Sequence, residues 1–125
     1  MSTTTHRSRE QQPFKTVAPG VHLRVLRRHG DEPGDVGNPG ITVLIRMDKG
    51  AHARHHGHPA GEETYLISGK LRVGSRILLP GDYLWTAAGE SHDGFAEEES
   101  LFFVVLPGGL DVERHRRADE RHFRL

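Results

Sequence analysis

Turn-forming residues cut this chain into runs too short to be helices. Fifteen glycines and seven prolines fall largely between segments such as VHLRVLRR (residues 21–28), ITVLIRMD (41–48), ETYLIS (63–68) and SLFFVVL (100–106). Within the first two, apolar residues recur at every second position: Val21, Leu23 and Val25, then Ile41, Val43, Ile45 and Met47. A period of two puts those side chains on one face of a half-buried strand. About nine or ten such strands between residues 13 and 110 predict an all-β fold, a single-domain antiparallel jelly-roll barrel whose mouth can hold ligands.

The remaining segments fill in that plan. A short strand is expected over Phe14–Val17, and HGDEPGDVGNPG (29–40) has the residues of a long surface loop. KLRV and RILL flank Gly74-Ser75 as a hairpin, Gly81–Thr86 reads as a strand, Ala87-Ala88-Gly89 as a turn, and His92 opens the next strand. Glu97-Glu98-Glu99 reads as an acidic turn, and SLFFVVL after it as a fully buried strand. Residues 1–12 are polar and aperiodic, which predicts a flexible tail; residues 111–125 form a charged C-terminal tail.

Composition removes several classes of partner. Seventeen basic and seventeen acidic residues cancel, so no overall field draws in nucleic acid or an anionic membrane. The chain lacks cysteine, which excludes disulfides and thiolate metal sites. With neither an apolar run of membrane-spanning length nor a leader-like N-terminus, a cytoplasmic location is expected.

One stretch is dense in metal-ligand side chains. GAHARHHGHPAGEETYLISG (50–69) carries His52, His55, His56 and His58, followed by Glu62 and Glu63. Imidazole and carboxylate together suit a borderline or hard divalent ion. His56 and His58 share a face in an extended strand, and Pro59-Ala60-Gly61 is a turn that can bring Glu62 back beside them. With a regular pleat, His52 and Arg54 lie on that same face and His55 and Glu63 on the other. His52 is then a candidate base or substrate contact, and Arg54 a candidate clamp for a substrate carboxylate. The aromatic pair Tyr83 and Trp85 is a candidate pocket wall, although core filling serves equally. The plain alternative for the site is a set of interior polar residues bonded to one another.

The chain resembles the cupin family in two motifs. The first, G-x5-H-x-H-x3-E-x6-G, is met by Gly50, His56, His58, Glu62 and Gly69. The second, G-x5-P-x-G-x2-H-x3-N, is met by Gly81, Gly89 and His92, with Ala87 and Ala96 in place of its proline and asparagine. HPAGEETYLISG is most similar to the branch that holds ChrR-type domains and dihydroxyacetophenone-type dioxygenases. The resemblance implies that His56, His58, Glu62 and His92 bind one divalent metal ion per chain, Fe2+ first, with Zn2+, Mn2+ or Ni2+ as alternatives.

Such a site leaves coordination positions open for a small-molecule substrate. The expected activity is that of a mononuclear non-haem iron dioxygenase acting on a chelating diketone, hydroxyketone or phenol. With a non-redox ion the same ligands suit an isomerase, cyclase or lyase, with Glu62 or His52 as base. A non-enzymatic metal-dependent sensor of the ChrR type is the third reading. A homodimer is expected, because an open jelly roll has sheet edges to cover.

Overall fold

The structure is a computed structural model that describes residues 4–58 and 60–110, with the backbone alone at 55–57. It contains β1 (Lys15–Ala18), β2 (Val21–Arg28), β3 (Ile41–Met47), β4 (His52–Gly57), β5 (Glu62–Val73), β6 (Arg76–Leu78), β7 (Tyr83–Thr86) and β8 (Ser91–Leu106). Every pairing is antiparallel, as the jelly-roll expectation requires. The loop after β2 carries two single 3-10 turns, His29–Asp31 and Pro33–Asp35. Within the segment expected as a tail, Arg7 Nε donates to the Leu26 carbonyl at 2.8 Å. The expected C-terminal tail, 111–125, lies outside the described residues.

Among the described residues eight strands stand where about nine or ten were expected, because two pairs of expected strands are continuous. ETYLIS and KLRV join as the twelve-residue β5, and the His92 strand and SLFFVVL join as the sixteen-residue β8. These two strands pair along their lengths and bend together. The β5–β8 register shifts between Leu66 and Leu71, and the exposed Glu97–Glu99 run lies on the facing part of β8. Gly69 permits the bend: its φ is +95°, and a Cβ there would run into the Glu99 carbonyl oxygen and Ser100. A bulge changes direction without ending the ladder, so the turn-like residues here mark a fold in a strand rather than its end.

The bend divides the ladder into two layers. The larger runs β1-β2-β3, then the C-terminal half of β8, the N-terminal half of β5, and β7; the smaller contains β4, the other halves of β8 and β5, and β6. Between them lies one core that includes Val43, Ile45, Met47, Leu66, Leu71, Phe102 and Val104. Ile41, Val43, Ile45 and Met47 are all buried, as their spacing predicts. SLFFVVL differs from expectation: Phe102, Val104 and Leu106 are buried while Phe103 is exposed. The larger sheet is covered on its inner side only, so this apolar run lies in a half-buried strand.

Candidate metal centre

β5 enters the core with its first residue. Gly61 makes that entry possible: its φ is +84°, and a Cβ would lie 2.5 Å from the Trp85 ring and 2.8 Å from the Thr86 carbonyl oxygen. A residue with a side chain would push Glu62 away from β7, opposite whose Thr86 it sits in register. The His58 carbonyl ties the motifs together, accepting from Gly89 N–H at 3.0 Å and from Gly61 N–H at 3.4 Å. The turn before His92 and the turn before Glu62 therefore share one anchor.

Three of the expected ligands meet at this point. His58, Glu62 and His92 are all buried, and each offers a ligand atom within 4.8 Å of the other two. His58 Nε2 lies 2.6 Å from Glu62 Oε2, and His92 Nε2 lies 3.9 Å from Glu62 Oε1. The imidazole rings stand edge to face, 5.8 Å apart between centroids. Both Nε2 atoms thus converge on one carboxylate.

The electrostatics suit a cation. Burial pushes the Glu62 carboxyl toward its neutral form, but the close approach and charge of His58, the charge of His92 and the Thr64 hydroxyl outweigh it and hold the pKa below the ordinary value. Glu62 is therefore an anion at neutral pH. Thr64 Oγ1 donates to Oε1 at 2.7 Å, whereas Oε2 is buried against His58 Nε2 with no hydrogen bond among the described residues. A buried carboxylate oxygen left unbonded is costly unless something else satisfies it. Metal bonds of about 2.0–2.2 Å to nitrogen and oxygen place neighbouring ligand atoms roughly 3 Å apart, a value that falls between the 2.6 and 3.9 Å separations found here. The donor set fits a divalent ion.

The other expected site residues divide. The β4–β8 register sets His56 opposite His92, but the side chains of His55 and His56 lie outside the described residues. His52 and Arg54 are exposed, and the buried residue between them is Ala53. The even-numbered face expected of this strand is not formed: the register shifts between Ala53 and His56, so a bulge resets the parity. His52 Nε2 bonds Asp93 Oδ2 at 2.7 Å, and Asp93 also accepts from Arg72 at 3.0 and 3.1 Å. Tyr83 and Trp85 are exposed too; Leu84 and Thr86 are the inward residues of β7, so the pair does not fill the barrel interior, and of the two only Trp85 borders the cleft at His92.

Two threonines were not anticipated. Thr64 bonds the Glu62 carboxylate, and buried Thr86 places Oγ1 3.5 Å from His92 Nδ1. Thr64 was within reach of strand parity, being two residues after Glu62; Thr86 required the β5–β7 register. The absent motif residues fall away from the ligands. Ala96 is buried and bonds Ala51 and Gly50 through its backbone, and Ala87 closes a turn by accepting from Glu90 N–H. A cleft of about 420 Å3 lies against His92 and Thr86, with Leu84, Trp85, Arg76 and Glu90 among its walls.

Comparison with known proteins agrees with this architecture. A relative from Arabidopsis thaliana, DNA damage-repair/toleration protein DRT102, is 27% identical over 112 residues; the match covers 85% of this chain and 33% of that protein. The chain thus spans about a third of its relative's length. Among solved structures, an RmlC-like cupin from Ralstonia eutropha superposes with a TM-score of 0.72 at 16% identity, covering 85% of this chain and 69% of that one. An acetylacetone dioxygenase from Acinetobacter johnsonii gives a TM-score of 0.61 at 20% identity, covering 70% and 60%. Residues 3–110 match the family described as the ChrR cupin-like domain, and the chain belongs to that family.

Proposed function

We propose that this protein is a metal-dependent enzyme, a mononuclear non-haem iron dioxygenase acting on a small chelating substrate such as a diketone, hydroxyketone or phenol. The observation that carries the reading is the Glu62 carboxylate, buried between two converging imidazoles with one oxygen that has no hydrogen bond among the described residues. The fold likeness to an acetylacetone dioxygenase supports the choice of reaction class. The donor set of two imidazoles and one carboxylate suits ferrous iron, with room for further ligands.

His58, Glu62 and His92 would hold the ion, and His56 is the fourth candidate. When bound, ferrous iron would supply the redox chemistry that brings dioxygen and substrate together. The chain's own residues do the rest. Thr64 fixes the Glu62 carboxylate, Thr86 orients the His92 ring, and the apolar core behind them excludes bulk water. The cleft beside His92 is of a size that admits a small molecule, with Leu84 and Trp85 to pack its carbon skeleton and Arg76 and Glu90 at its polar wall. In the overall reaction one carbon–carbon bond breaks and both atoms of dioxygen enter the products. The substrate provides the electrons, so no external reductant is needed.

The test is metal content by elemental mass spectrometry after chelator-free purification, followed by oxygen uptake with diketones and phenols. One iron per chain and uptake matched to substrate loss supports the proposal. One zinc, manganese or nickel with substrate conversion but no oxygen uptake replaces it with Lewis-acid isomerase, cyclase or lyase chemistry. Saturable ligand binding without any product replaces it with a sensor.

A further inference from the structure

The cleft beside His92 carries one charge of each sign, on different elements. Register places Arg76 of β6 opposite Val73 of β5, and Val73 opposite Gly94 of β8. Directly opposed residues of an antiparallel pair share a face, so Arg76 stands on the same side as buried Val73 and Leu78, the inner side of the smaller sheet. Among the described residues it is the one arginine or lysine lining the cleft, and its guanidinium has no hydrogen bond or ion pair with any of them. Arg54, the residue expected to hold a substrate carboxylate, does not line it. Glu90, in the β7–β8 turn two residues before His92, supplies the negative charge.

The β5–β6 turn that leads into Arg76 is held against the metal-ligand strand. Gly74 N–H donates to the Asp93 carbonyl at 2.9 Å, and Arg72 Nη1 donates both to the Gly74 carbonyl at 2.7 Å and to Asp93 Oδ1 at 3.0 Å. A Cβ at Gly74 would lie 3.8 Å from the His92 Cβ, so the turn backbone runs directly beside that ligand. Arg76 follows two residues later, on a strand whose start is fixed relative to His92. A cation so placed can meet a substituent of a molecule chelated at the metal.

We propose that the substrate carries a carboxylate besides its chelating oxygens, and that Arg76 binds this carboxylate as the specificity-determining residue of the cleft. The inference deepens the proposed function and rests on its reading of His58, Glu62 and His92 as a metal centre open to a chelating substrate. A guanidinium matches a carboxylate with two parallel N–H donors. A divalent ion held by one carboxylate and neutral imidazoles leaves the centre positive, so with Arg76 the positive charge outweighs Glu90 and the cleft favours an anion. Glu90 adds direction: a carboxylate turned toward it meets like charge, so the anionic end of the substrate goes to β6. Leu84 and Trp85 are left to pack the carbon skeleton.

Titration calorimetry of the zinc-loaded full chain is the test, because it reads binding without turnover. The probes are catechol, protocatechuate, which is the same diol with a carboxylate, and dopamine, which carries an ammonium instead. The wild type is expected to bind protocatechuate tightest. Arg76→Ala should lower the ratio of protocatechuate to catechol affinity at least tenfold, with catechol affinity and zinc content unchanged; comparing ratios between variants cancels the different acidities of the two diols. Arg76→Lys should keep part of the ratio, and Glu90→Gln should raise it. Lys49→Glu, at an exposed position that does not line the cleft, should leave it unchanged. A ratio that survives Arg76→Ala, a ratio that falls equally in Lys49→Glu, or a preference for dopamine would overturn the carboxylate proposal and leave the dioxygenase reading standing. A ratio that falls as expected in a protein whose iron form takes up no oxygen supports Arg76 and removes the dioxygenase reading. A zinc-loaded protein that binds none of the diols overturns both.

Discussion

Glu62 and Glu63 are the same chemical group one residue apart, yet they belong to opposite sides of one sheet. Glu62 points inward, buried, with Thr64 bonded to one oxygen and two imidazoles around it. Glu63 points outward and accepts a bond from the exposed Tyr83 hydroxyl. The same contrast runs along the sheet: Thr64 and Leu66 face in, Tyr65 and Ile67 face out, and on β8 Phe102 is buried beside exposed Phe103. Position in the pleat, more than residue type, separates the candidate metal centre from the solvent-facing side of the sheet.

That contrast is sharpest in paired substitutions. Glu62→Gln removes the anionic ligand, and metal recovered after chelator-free purification is expected to fall from one equivalent to near zero. Glu63→Gln should leave the metal unchanged; equal losses from both would break the distinction between the faces. Next in size, Phe102→Ala is expected to cost about 3–5 kcal/mol in urea unfolding, the usual result of emptying a core site of that volume. Phe103→Ala, at an exposed position, should cost less than about 1 kcal/mol in the same measurement. Smaller again, Thr64→Val keeps the shape but removes the donor to Glu62, with an expected ~10–100-fold loss of metal affinity by competition with a chelator. Fold stability should change little by comparison.

The sequence was most legible where strands are regular. Alternation in ITVLIRMD identified the buried face of β3, and the motif spacing brought together His58, Glu62 and His92 across three different elements. It was least legible at bulges and bends, because a backbone irregularity leaves no mark on hydrophobic period. Gly69 looked like a break between strands and instead lets β5 continue around the barrel. Between Ala53 and His56 the same kind of irregularity undid the parity that had grouped His52 and Arg54 with the ligands. The outward positions of Tyr83 and Trp85 were hidden for another reason: aromatic residues in a short strand do not declare which of its two faces is covered.

His52 offers the finest test of this reading, since a regular strand would make it part of the site and the bulge makes it part of an external clamp. Its partner Asp93 joins β4, β5 and β8 on the outer side, next in sequence to His92. Arg72 chiefly, with His52, draws the Asp93 carboxyl well below the ordinary carboxylate range against a modest opposing effect of burial. A depressed carboxylate stabilises the fold above its unfolded pKa and loses that contribution as pH falls toward its folded one. The advantage of the wild type over Asp93→Asn should therefore be full at neutral pH and shrink below about pH 4. At its fullest it should be about 1 kcal/mol, the scale of a partly exposed ion pair, and smaller in high salt. His52→Ala should cost still less and leave metal content at the wild-type level. Loss of metal in His52→Ala, with stability unchanged, would return His52 to the centre and remove the bulge as the explanation of its exposure.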